Sequence, residues 1–132
     1  MSETGGCHCG AIRYEASGAP IHSSLCHCGD CARSAGAPMV HWTLFPREAV
    51  TISGTPQDYQ SSPGTSRQFC GACGTGLFYI NESIFPGQID IQAATLDNRS
   101  ALPPEARIQL ADAPDWIERV PELRGYARFP AE

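Results

Sequence analysis

Lysine is missing from this sequence: the nine basic residues are all arginine, set against 14 acidic ones, for a formal net charge of −5. No dense basic patch stands out. That argues against nucleic-acid binding, because phosphate neutralisation needs clustered positive charge. No run of 18 apolar residues occurs, so nothing reads as a membrane span. The N-terminus, Met1 to Gly6, has neither a basic region nor an apolar stretch, and it does not read as a secretory signal. Cytoplasm is the expected location. A Gly-rich nucleotide fingerprint, a Walker sequence and a Ser-centred nucleophile elbow are all missing.

What the sequence has in quantity is cysteine. Seven occur in 132 residues. A chain this long suits one domain with a modest core, to which crosslinks contribute noticeably. A disulfide scaffold would explain many cysteines in a small protein. Here the count is odd, no export signal is seen, and the spacings are very tight: Cys7 and Cys9; Cys26, Cys28 and Cys31; Cys70 and Cys73. Short-range groups of this kind converge more readily on a metal than on one another.

Around them the chain reads as β-rich. Alternation predicts strands over Ala11–Ala16, Ile21–Cys28, Met39–Phe45, Val50–Ile52, Gln57–Gln60, Leu77–Ile80 and Ile89–Thr95, with Gly and Pro between them. Gly5-Gly6 reads as a flexible lead-in. Arg33–Pro38 reads as a loop or a short helical turn, and Asp115–Val120 as one or two turns behind Pro114. One domain over 1–132 is expected. A C-terminal extension at about 97–132 reads as a partly extended tail laid over the sheets.

The cysteine spacing carries chemistry. Cys70-Gly71-Ala72-Cys73-Gly74 reads as a zinc knuckle supplying two of four tetrahedral ligands. In an extended Cys7-His8-Cys9, positions i and i+2 share a face, so Cys7 and Cys9 supply the other two while His8 points away. That site would be closed and structural. Cys26, Cys28 and Cys31 offer three thiolates, which leaves a position for water, hydroxide or a substrate thiol. Alternatively a histidine closes it. His27 is adjacent but badly directed, His22 lies about 13 Å off along a straight strand, and His41 could arrive from a neighbouring strand. A further alternative leaves Cys31 free. A thiolate-rich zinc suits capture of a soft thiol better than activation of water. Arg33 is a candidate for holding a carboxylate of an anionic substrate, or else a solvated charge. Asp30 is a candidate hydrogen-bond partner behind the ligands. Trp42 and Phe69 read as core or pocket wall, and Asp90 as a residue of a strand's polar face.

Several stretches together resemble the glutathione-dependent formaldehyde-activating enzyme family, which also includes centromere protein V. They are Gly6-Cys7-His8-Cys9-Gly10-Ala11-Ile12-Arg13-Tyr14, Cys26-His27-Cys28 with Cys31, Ser34–Pro38, Arg67-Gln68-Phe69-Cys70 and Cys73-Gly74-Thr75. A core at about 5–96, ahead of the C-terminal extension, carries this family resemblance. A tail with Ile108 and Trp116 is similar as well, although Arg107-Ile108 stands where members often carry His-Ile. The resemblance implies a mainly β fold of coiled antiparallel sheets with little helix, similar to the zinc-binding Rab chaperone. It implies two zinc ions, a structural one on Cys7, Cys9, Cys70 and Cys73 and a catalytic one on Cys26, Cys28 and Cys31. It also implies glutathione or another small thiol as co-substrate, formaldehyde as its partner, and carbon–sulfur lyase chemistry. A homo-oligomer is compatible with it. The competing expectation is a zinc-stabilised scaffold or chaperone-like protein, which would show a broad apolar face without a pocket.

Overall fold

The computed structural model describes residues 1–130. Ten strands form two sheets. A three-stranded antiparallel sheet has the order β1-β2-β5, with β1 at Ser2–Gly6, β2 at Arg13–Ser17 and β5 at Val50–Ser53. The second sheet is seven-stranded, in the order β10-β3-β4-β9-β8-β7-β6. Its members are β3 (His22–Cys26), β4 (Val40–Pro46), β6 (Gln57–Ser62), β7 (Thr65–Phe69), β8 (Gly76–Asn81), β9 (Gln88–Gln92) and β10 (Ala106–Ile108). Among the described residues there is one α-helix, α1, at Gly29–Ala35. The fold is thus mainly β with little helix, as the sequence predicts. Among the described residues, no helix is long and apolar enough to cross a membrane.

Register explains the layering. Residues directly opposite one another in a sheet share a face. Cys26 faces Val40 and Ser24 faces Trp42 across β3–β4; Leu44 faces Asp90 across β4–β9; Asp90 faces Tyr79, and Tyr79 faces Arg67. All of these therefore share one face of the large sheet. The opposite face carries Phe45, Ile89, Ile91 and Phe78, and the small sheet packs over it with Ile12, Tyr14 and Ala16. Phe45, Ile89 and Ile91 are fully buried there, and the Tyr14 and Phe78 rings meet edge to face at 5.6 Å. Truncating a phenylalanine in such a core costs about 3–5 kcal/mol.

Several local expectations change. Gly5-Gly6 is no lead-in: both belong to β1, paired along its length with β2. A Cβ on Gly5 would run into the Tyr14 ring and the Thr95 carbonyl, so glycine serves close packing there rather than flexibility. The strand expected over Ile89–Thr95 ends at Gln92 and continues as a single 3-10 turn, Ala93–Thr95. The helical turn expected at Asp115–Val120 is a 3-10 segment at Ile117–Glu122. The tail also contributes β10, which pairs parallel with β3 in an otherwise antiparallel sheet.

Candidate metal centres and the adjoining cavities

All seven cysteines are free thiols, and they fall into two groups. The sulfurs of Cys7, Cys9, Cys70 and Cys73 lie within 4.8 Å of one another, as do those of Cys26, Cys28 and Cys31.

The four-cysteine group is built from two similar turns. In the first, Gly10 N–H donates to the Cys7 carbonyl at 3.1 Å and Cys7 N–H to Ile12 O at 3.0 Å. In the second, Gly74 N–H donates to Cys70 O at 2.8 Å and Cys70 N–H to Thr75 O at 2.9 Å. Gly10 and Gly74 both have φ of 83°, a conformation that favours glycine. Cys7-His8-Cys9 is therefore a tight turn and not the extended segment expected from parity. The outcome holds by another route: Cys7 and Cys9 converge at 3.7 Å, while His8 is exposed. Ile12 N–H donates to the Cys7 sulfur at 3.2 Å. The Thr75 hydroxyl, 3.2 Å from the Cys73 sulfur, leads the interactions that bring that thiol down to about 5.

The three-cysteine group sits where β3 ends and α1 begins. Cys26 is the last residue of β3, Cys28 is the N-cap of α1, and Cys31 lies in its first turn. The Cys28 sulfur accepts the Cys31 N–H at 3.2 Å, as a capping serine hydroxyl would. The strand expected to reach Cys28 stops two residues earlier because this cap turns the chain. Burial pushes the Cys26 thiol up to about 12. A thiolate there needs a cation beside it.

No histidine joins this group among the described residues. His27 is buried and turned away, its Nδ1 3.2 Å from the Ile108 carbonyl oxygen. His41 pairs with the Ser23 hydroxyl at 2.8 Å. His22 lines the nearby cavity and packs against Phe85.

Arginine reaches the sulfurs instead. Arg67 lays its guanidinium 3.7 and 3.8 Å from the Cys31 sulfur, 5.0 Å from the Tyr79 ring centroid, and donates from Nε to the Ser61 hydroxyl at 3.2 Å. Two cavities adjoin it. The smaller, about 260 Å³, is lined by all three cysteines with Tyr79 and Asp90. The larger, about 580 Å³, is lined by Arg33, Tyr59, Gln68 and Gln92, among others. Asp30, Trp42 and Arg67 border both, so the two spaces share a wall, and the three cysteines line the smaller one.

Arg33 is exposed on the wall of the larger cavity and makes no ion pair among the described residues. Trp42 and Phe69 are pocket wall, as expected. Asp90 is not the solvated polar-face residue that alternation suggests. It is 5% exposed, and burial raises its carboxyl to about 7. Sequence reasoning gave Arg67 and Tyr79 no role at the site and placed Asp90 on a strand's polar face. A signal existed: β4 carries large apolar residues on both faces, Trp42 and Leu44 on one and Phe45 on the other, so its neighbouring strand is covered on both sides too.

Together these features define a β-sheet protein fit to hold metal by thiolates beside a ligand-sized cavity. The particular family follows from comparison: residues 2–112 match the profile described as "Glutathione-dependent formaldehyde-activating enzyme", and the chain belongs to that family. It is 30% identical over 141 residues to a Halomonas elongata protein provisionally named a glutathione-dependent formaldehyde-activating enzyme, covering 97% of this chain and 88% of the relative. An uncharacterized lyase of Schizosaccharomyces pombe is 28% identical over 124 residues, covering 86% of this chain and 82% of that one. The fold is similar to the crystal structure of a Rhodobacter sphaeroides protein, with a TM-score of 0.63 at 20% identity, over 79% of this chain and 98% of that one.

Proposed function

We propose that this protein is a zinc-dependent carbon–sulfur lyase-type enzyme that joins a small thiol, glutathione, to formaldehyde and also runs the reverse reaction. One zinc belongs with Cys7, Cys9, Cys70 and Cys73, the other with Cys26, Cys28 and Cys31. The donors fit: four soft thiolates make a closed tetrahedral site, and three leave a position for an exchangeable ligand. When bound, the second ion supplies the positive charge that keeps an incoming thiol deprotonated at neutral pH.

The chain's own residues do the rest. Three thiolates around a dication carry a net negative charge, and an incoming thiolate adds to it. The Arg67 guanidinium beside Cys31 offsets that charge through charge-assisted contacts. Arg33 and Gln68, on the larger cavity, orient a peptide-like thiol by its carboxylates and amides. At about 580 Å³ that space falls in the range of small-molecule sites. The Trp42 and Tyr79 rings, 5.9 Å apart, wall the reacting end and limit water there.

The observation that carries this reading is a small cavity lined by three converging thiols that no histidine joins, next to a larger one with which it shares Asp30, Trp42 and Arg67. A scaffold or chaperone-like role calls for a broad apolar face without a pocket, and the cavities weigh for the enzyme. Cobalt substituted at the three-cysteine site tests the proposal. Added glutathione is expected to change the thiolate-to-cobalt charge-transfer bands, and the zinc protein to accelerate formation of the formaldehyde adduct. Bands unchanged at saturating thiol would refute an exchangeable position. Shifted bands without acceleration would leave a thiol-binding site and remove the activity.

A further inference from the structure

Asp90 and Ser24 both line the smaller cavity. Asp90 Oδ1 and the Ser24 hydroxyl are buried, and neither makes a hydrogen bond among the described residues. Buried polar atoms are nearly always paired, so a buried carboxyl with an unpaired oxygen, on a residue that lines a small cavity beside reactive sulfurs, asks for a role. The groups around Asp90 are known from every side. Across the sheet it faces Leu44 of β4 and Tyr79 of β8. His22 and Cys26 of β3, Arg67 of β7, Asp30, Cys28 and Cys31 around α1, and Gln109 of the tail line the same space. The cation among them, Arg67, is directed at the Cys31 sulfur, and Asp90 makes no ion pair among the described residues.

We infer that Asp90 is the acid that protonates the aldehyde oxygen when a thiolate held at Cys26, Cys28 and Cys31 adds to the carbonyl carbon. This rests on the enzymatic reading above and adds the group that handles the proton. The sulfur lone pair forms the C–S bond, and the carbonyl π pair moves to oxygen. That oxygen takes the Asp90 proton, giving a hydroxymethyl thioether and a carboxylate. Water then reprotonates Asp90, while the thiol's own proton leaves to solvent on binding, so one thiol and one aldehyde give one adduct. In reverse, the carboxylate removes the hydroxyl proton as the C–S bond breaks. Burial suits the role, because it keeps the carboxyl protonated up to about pH 7.

The test is Asp90→Asn in the metal-reconstituted protein, with Asp90→Glu beside it. Asparagine keeps the shape and a hydrogen-bond donor but has no transferable acid proton. The expected result is unchanged metal content and thiol affinity within about twofold, with kcat for adduct formation reduced about 100-fold or more. Wild-type kcat for adduct formation is expected to fall above about pH 7, and that fall to vanish in Asp90→Asn and to return, shifted, in Asp90→Glu. Asp90→Asn retaining kcat within about threefold would overturn the assignment and leave the enzymatic reading standing. So would Asp90→Glu losing metal and thiol binding along with activity, because that pattern marks a structural role. A wild-type protein that accelerates no adduct formation would remove the enzymatic reading and this one with it.

Discussion

Replacing Cys70 by serine should have consequences of a different kind from replacing Cys28. The four-cysteine group joins positions as far apart as Cys9 and Cys70, which are 61 residues apart in sequence. The chain-entropy relation for a crosslink gives about 4 kcal/mol for closing a loop of that size, against about 2 kcal/mol for a loop as short as that between Cys26 and Cys31. Cys70 is also 2% exposed in the main core. A serine hydroxyl left unpaired there adds about 1–3 kcal/mol. Together these losses consume most of a net stability of about 5–15 kcal/mol. Cys28, by contrast, is only half-buried and caps α1. Serine is among the best N-cap residues, so Cys28→Ser spares the helix start, whose loss would cost about 1 kcal/mol. The assay is a thermal melt with a metal count and an activity measurement on each variant. Cys70→Ser should lower Tm by about 15 °C or abolish cooperative unfolding. Cys28→Ser should melt cooperatively about 5–10 °C below wild type, with one metal and no activity. Equal loss of folding in the two variants would refute the division into structural and reactive sites. Full activity in Cys28→Ser would refute the reactive one.

Arg67→Gln should weaken thiol affinity at the cobalt-loaded site by about 10- to 100-fold, the worth of hydrogen bonds to a charged sulfur, with little change in Tm. Arg67→Lys should not restore it, since a single ammonium cannot reach the Cys31 sulfur, the Tyr79 face and the Ser61 hydroxyl together; full affinity in the lysine variant would count against this. Gly5→Ala should cost about 1–3 kcal/mol by denaturant unfolding, because the new methyl meets Tyr14 and Thr95. A neutral result would mean that β1 can shift away. The Arg13 guanidinium and the Thr4 hydroxyl lower the Asp97 carboxyl to about 2. The folded form thus holds its proton less tightly than the unfolded chain, and the stabilisation is present above about pH 4 and lost as pH falls towards 2. The stability difference between wild type and Asp97→Asn should therefore shrink over that window, and a constant difference would show the pair to be inert.

The cysteine groups were legible because each is local: two or three thiols within a few positions announce themselves whatever the fold does. Even so, the geometry that brings Cys7 and Cys9 together was not. Parity pointed to a strand, whereas Gly10 at positive φ closes a turn. The β-rich class and most strands followed from alternation, and β4 kept Val40, Trp42 and Leu44 buried on one face. Arg67, Tyr79 and Asp90 stayed hidden for a physical reason. They come from three strands and meet only through sheet register, which no single stretch of sequence encodes. In Gln88-Ile89-Asp90-Ile91-Gln92 the pattern alone says that one face is wet, and only the cover over that face makes Asp90 an interior acid. The tail's strand was missed because Ala106–Ile108 is exposed along its length and pairs parallel, without a hairpin to announce it.

That short strand separates two properties usually thought of together. Ile108 takes two contacts from His27, one from its backbone and one from its ring. Ile108 and Gln109 then form one wall of the cavity beside the sulfurs, while no thiol lies beyond Cys73. The thiol groups and one wall of the cavity beside them are thus written in different parts of the chain. A graft of residues 104–112 from another protein of this architecture could widen or narrow the chamber and leave every sulfur in place. On the proposed function, the cysteines would set the reaction, and a segment of fewer than ten residues would set which partner the chamber admits.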